Sequence, residues 1–219
     1  MTHFYLAMNH LVQGDFEAAL AEAHRADAVG KEIGDPRLQT YAAFADGWVE
    51  ATRGNDAAAV AACQRSREQA PDRVSRAYAS MVLGFALIGQ GDHAQARTIL
   101  EPVVAELEGF ALPQWHGFAA ALTAETYRLD ARLDVAGTLV QRALDVMTRA
   151  QYWYGVAFAQ RVAARIALDR GTLDEDTLTF DDATQTFERI GARFEAQQTR
   201  DERDRLNGAI RNPRSGTTP

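Results

Sequence analysis

The chain has 219 residues, of which 47% are hydrophobic and 24% charged, and it carries a formal net charge of −7. A generally acidic surface repels phosphate backbones and argues against nucleic-acid binding, while the single cysteine, Cys63, excludes an intrachain disulfide. No basic-then-apolar leader opens the sequence and no apolar run approaches about 18 residues, so it reads as a cytoplasmic protein with no membrane segment.

Alanine is the commonest residue, proline is scarce at 6, and alternating runs of β-branched residues are absent. This mixture points to helix throughout. Lys31 is the only lysine, a bias better explained by genome composition than by function. The chain begins HFYLAMNHLV, residues 3–12, with aromatic and aliphatic side chains on more than one helical face and no polar cap in front of them. Gly14 then stops this helix and Asp15 starts the next. The same stop and start recur at Gly54-Asn55 and Gly91-Asp92, then in altered form at Ala131-Arg132 and at Gly171. A glycine after a helix accepts the left-handed turn, and Asp or Asn satisfies the free amides of the helix that follows. Ala131-Arg132 lacks both devices, so this turn must be built differently or rely on Asp134.

The five anchors Gly14, Gly54, Gly91, Ala131 and Gly171 are 40, 37, 40 and 40 residues apart, a period typical of solenoids. Seven positions before them stand Ala7, Gly47, Gly84, Ala124 and Ala164, all small. Five positions after them stand Ala19, Ala59, Ala96, Ala136 and Asp176. Small residues on both helices of a hairpin let the two approach closely and interlock. Helix pairs are expected at roughly 2–34, 36–70, 73–109, 114–150 and 152–190, with a last helix at roughly 192–208. Pro36, Pro71 and Pro113 fall where helices restart. The last helix is mostly charged, with Phe194 and Leu206 as inward anchors, which suits a solenoid cap. The reading is one domain over residues 1–209 and a disordered tail at 210–219.

These features resemble the tetratricopeptide-repeat family: a small residue in the first helix, a Gly-Asp or Gly-Asn turn, and small residues in the second. The long period is similar to the arrays at the C-terminal ends of bacterial signal-transduction ATPases and nucleotide-cyclase proteins. The resemblance implies an all-α superhelix, a TPR-like solenoid of about five hairpins, whose first helices line a concave face. It places Tyr41, Phe44, Trp48, Tyr78, Met81 and Phe85 on that face in the earlier repeats, and Glu125, Arg128, Arg161 and Arg165 in the later ones. An aromatic half beside an arginine half suits a peptide or a small amphipathic ligand. The same aromatics equally suit packing against the next hairpin, and the arginines suit pairing with Glu125 and Asp169.

No phosphate-binding loop, nucleophile elbow, zinc-protease or paired-cysteine motif is present, so neither the partner ATPase nor the cyclase activity carries over. No cofactor, metal or catalytic residue is assigned. His3 and His10 lie two helical turns apart, roughly 10 Å and too far for one metal. Cys63 reads as a buried, inert thiol. The acidic trio Asp174, Glu175 and Asp176 reads as a helix start. The expected function is a non-enzymatic interaction or scaffold module that binds a protein segment in its groove. The alternative is a small-molecule-sensing regulatory domain of a bacterial signalling or transcription-control protein. An open apolar N-terminal end should be buried against something, either because the chain is cut from a longer protein or because it forms a homodimer.

Overall fold

The structure, a computed structural model, describes residues 1–172 and 180–211. The described residues form helices and no strand. The helices pair as α1 (Thr2–Gln13) with α2 (Phe16–Ile33), α3 (Pro36–Thr52) with α4 (Asp56–Gln69), α5 (Arg73–Gly89) with α6 (His93–Gly109), α7 (Pro113–Leu129) with α8 (Leu133–Arg149), and α9 (Trp153–Arg170) with α10 (Phe180–Arg189). Helix α11 (Arg193–Arg211) ends the series. Each helix packs on its neighbours in sequence, and odd-numbered helices also pack on one another. This is an all-α, TPR-like superhelical solenoid of five hairpins. Asp174, Glu175 and Asp176 lie outside the described residues. The expected tail starts at residue 210, but α11 runs to Arg211, and residues 212–219 lie outside the described residues.

The turns follow from backbone geometry. Gly14, Gly54, Gly91 and Gly171 adopt φ of 81°, 79°, 84° and 69°, the left-handed conformation that glycine reaches without steric penalty. The Asp15, Asp35, Asp72 and Asp92 carboxylates accept from the amides of Ala18, Leu38, Ser75 and Gln95 at the starts of their helices. Asn55 departs from expectation: its side-chain amide donates to Glu50 and makes no cap bond. The fourth turn keeps the same backbone path without glycine. Ala131 takes φ 58°, and the amides of Ala131 and Arg132 donate to the carbonyls of Arg128 and Tyr127 at 2.9 Å. Asp134 does not cap this helix; it bonds Arg170 instead.

The small residues do what their spacing implies. Ala7, Ala124 and Ala164 are at most 1% exposed, and Gly47 and Gly84 are buried. A β-carbon added at Gly47 would overlap Cys63 Sγ, and one added at Gly84 would lie 2.5 Å from Leu100 Cγ. In both hairpins the missing side chain on the first helix is the space taken by an apolar side chain of the second. Ala19, Ala59, Ala96 and Ala136 are fully buried. Cys63 is likewise fully buried, and burial pushes its thiol up to about 12.

The array curves until its ends meet. Phe194, at the start of α11, packs edge-on against Phe16, with ring centroids 4.7 Å apart. A β-carbon on Gly14 would stand 2.8 Å from Phe194 Cβ. Arg53 holds this junction from the second hairpin, bonding Glu17 at 3.1 Å with its guanidinium over the Phe16 ring. Phe194 is thus an anchor toward the first hairpin rather than toward the cap's own support. Helix α11 seats its buried Glu195, Ala196 and Thr199 in the array. The small Ala196 permits close approach, and Glu195 is tolerated there because Arg161 and Tyr154 both bond it.

Candidate functional site

The residues expected on the concave face divide between two places. Phe44 and Trp48 are 1% exposed and Met81 is fully buried, so they offer a ligand no surface. Tight curvature is the physical reason. Inner helices two and three hairpins apart touch directly, with Trp48 in ring contact with Tyr154 and Phe85 with Phe158. One end of the inner side is therefore filled by packed aromatics, including Trp115, Phe118 and Tyr154.

Tyr41 and Tyr78 belong to a row that the anchor-based alignment does not show. Phe4, Tyr41, Tyr78, Trp115 and Tyr152 are each 37 residues apart. Successive ring centroids lie 5.3, 6.0, 5.4 and 5.6 Å from one another. All five are half-buried, and such tilted pairs add to what burial alone contributes. Burial raises the Tyr78 phenol to about 12, keeping it neutral. The constant 37-residue spacing of aromatics was the available signal; the turn glycines, mostly 40 apart, drift out of phase with it.

The other end of the inner side stays open as a cleft of about 520 Å³. Phe85, Ile88 and Phe158 supply its apolar lining, over the fully buried Leu122. Glu125, Arg161 and Arg165 line it from α7 and α9, while Glu195, Gln198, Glu202 and Arg205 face them from α11. No sequence signal marks that facing wall, because a mostly charged α11 equally suits a solvated cap.

The charges in the cleft form an ordered chain. Arg128 donates to both Glu125 oxygens at 2.8 and 2.9 Å and to Asp169 at 2.6 Å. Arg165 donates to Glu125 at 3.0 Å and grips both oxygens of Glu202 at 2.6 and 2.7 Å. Burial pushes the Glu125 carboxyl up, but Arg165 and Arg128 outweigh burial and hold it below its ordinary value. Arg165 is itself raised by Glu125 and Glu202, which overcome its desolvation. Arg161, 6% exposed, donates to Glu195 at 2.7 Å and lies between the Phe158 and Phe187 rings. Its Nε has no hydrogen-bond partner. The arginines therefore do pair with local acids, and they also wall the cleft.

Among the described residues, no group of three His, Cys, Asp or Glu side chains is placed to hold a metal ion. No described helix is long and apolar enough to cross a membrane. His3 Nδ1 lies 2.6 Å from Glu22 and His93 Nε2 lies 2.8 Å from Asp130, so both imidazoles are engaged in local pairs.

A tetratricopeptide-repeat family model matches residues 1–25 and 77–102, which fall on the first and third hairpins with their turns. Among solved structures, the fold is similar to the apo form of RapI, with a TM-score of 0.61 at 11% identity over 99% of this chain and 77% of that one. It is also similar to BtubC (BKLC) from P. vanneervenii, with a TM-score of 0.52 at 15% identity over 93% and 94%. No curated protein matches the sequence.

Proposed function

We propose that this TPR-like solenoid is a non-enzymatic interaction module whose inner cleft takes a short segment of a protein partner. Repeat folds of this kind typically present their concave side to other proteins. The observation that carries the reading is the cleft itself. It joins an apolar lining at Phe85, Ile88 and Phe158 to fixed guanidinium groups at Arg161 and Arg165. Arginines already held by Glu195 and Glu202 are pre-organised, so little side-chain entropy is lost when a ligand docks. Closure of the array against Phe194 limits the occupant to a few residues, such as a loop tip or a chain end. The contact set narrows from the sequence expectation to Phe85, Ile88, Glu125, Arg161, Arg165 and Arg205, with Arg128 acting through Glu125. Phe44, Trp48 and Met81 shape the wall behind, and Tyr41 and Tyr78 lie outside the cleft.

The same closure favours a second reading, a regulatory domain that senses a small molecule, because about 520 Å³ falls within the usual range of small-ligand pockets. Both readings set the protein in the cytoplasm of a bacterium, and the second sets it in signalling or transcription control. The free, buried Cys63 is compatible with a reducing compartment.

Selection from a random short-peptide library, with the protein immobilised, tests the first reading. Enriched peptides that bind the native protein and lose at least tenfold in affinity to Ile88→Glu support it. Peptides bound equally by that variant, or no enrichment, remove the cleft as a peptide site. A melting-temperature rise across a metabolite panel, absent in the same variant, supports the second.

A further inference from the structure

The first hairpin carries a different surface, independent of the cleft. Among the described residues the exposed large hydrophobics are Met1, Tyr5, Leu6, Ile33, Leu129 and Trp153. Four of these six belong to the first hairpin. Tyr5 is 64% and Leu6 40% exposed. Helix α2 has 18 residues against 12 in α1, so the last turn of α2, with Ile33, overhangs Met1 by roughly 9 Å. The exposed positions of α1 are Thr2, Tyr5, Leu6, Asn9 and Gln13, which fall at helical spacing on one face.

Two further features say what covers this face. Helix α1 is the one described helix with no Asp, Glu, Lys or Arg, in a chain with a net charge of −7. In addition, the aromatic row that runs from Tyr152 to Phe4 does not stop at Phe4. The Tyr5 ring continues it at 5.4 Å, and this last member is bare.

We propose that α1 is a self-association face, on which a second copy of the chain packs head to head about a two-fold axis. A two-fold axis sets each side chain near it beside its own counterpart, so any formal charge there would face a like charge. A helix face without charged side chains is the one on which two copies of an acidic protein meet with the least Coulomb cost. A dissimilar partner, by contrast, gains steering and specificity from charge that α1 does not supply. Asn9 and Gln13 carry both a donor and an acceptor and can bond their own copies across the axis. Tyr5 meeting Tyr5 of the second copy joins the two aromatic rows into one. With only Met1, Tyr5, Leu6 and Ile33 as exposed large hydrophobics on the first hairpin, the association is concentration-dependent.

Sedimentation velocity of the full chain over a wide concentration range reads this directly. The expected result is a mass rising from 24.0 kDa toward twice that value, and Tyr5→Glu with Leu6→Glu stays monomeric with unchanged helicity. Tyr5→Cys tests the symmetry. Cys63 is buried and silent, so mild oxidation should give a single covalent dimer. Four outcomes overturn the proposal: a monomer at every concentration, a Tyr5→Glu/Leu6→Glu variant that still associates, a Tyr5→Cys protein that does not cross-link, or oligomers that keep growing head to tail. The first of these leaves α1 to a preceding segment or to a dissimilar partner.

Discussion

Replacing Gly47 by alanine should destabilise the protein when Cys63 is present and stabilise it when Cys63 is alanine. Gly47 lies inside α3, where alanine is better than glycine by about 1 kcal/mol in helix propensity. Against this, the new β-carbon overlaps Cys63 Sγ, and overpacking of this kind costs about 1–3 kcal/mol. The net expectation is a loss of about 1 kcal/mol, or about 2–4 °C in melting temperature for a chain of this size. In a Cys63→Ala background the sulfur is gone. The nearest remaining neighbours are the Ala59 carbonyl oxygen and the residue 63 amide nitrogen, both at 3.5 Å, which is ordinary contact. The propensity gain then stands alone, and Gly47→Ala adds about 1 kcal/mol. The double-mutant cycle therefore carries a coupling of about 2 kcal/mol with a reversal of sign. Urea unfolding followed by far-ultraviolet circular dichroism measures all four proteins. A Gly47→Ala effect of equal sign and size in both backgrounds would refute the idea that the small residue exists to admit the facing side chain.

Ala131→Gly should raise stability by about 0.5–1 kcal/mol, since it relieves an alanine at φ 58° while adding freedom to the unfolded chain; an unchanged urea midpoint contradicts this. Glu125→Gln should cost about 3 kcal/mol, the low end for breaking a buried pair, because Arg165 and Arg128 each keep a second carboxylate in Glu202 and Asp169. His116 is 6% exposed, and burial holds its pKa below the ordinary histidine value. The fold then binds fewer protons than the unfolded chain, so this contribution is present above the unfolded pKa of about 6.5 and is lost as pH falls through the folded one. Urea midpoints should drop as pH falls below about 6.5, and less so in His116→Asn.

The solenoid was legible because its signals are local. A glycine at φ 81° or 84° and an aspartate that caps the next helix act within one turn, as at Gly14-Asp15 and Gly91-Asp92. Cys63 and Gly47 were also legible, since both are set by packing within one hairpin. Curvature was not. It is the sum of small rotations between hairpins, and no residue encodes it alone. Trp48 was therefore expected on an open face and is instead packed against Trp115, Phe118 and Tyr154. Glu195 and Glu202 were hidden for the same reason. In sequence they are two acids among many in a charged helix. Only the closing of the array brings them to Arg161 and Arg165. The aromatic row escaped because its period follows the ring contacts rather than the turns.

Phe194 against Gly14 has a consequence for how such a protein can change over generations. An open solenoid lengthens freely by duplicating a hairpin, because each unit touches only its neighbours. Here an extra hairpin would carry Phe194 past the first turn, and a missing one would leave it short. Inserting or deleting a whole hairpin between α2 and α11 is closed to this array, because the Phe16–Phe194 contact fixes how much chain can lie between its two partners.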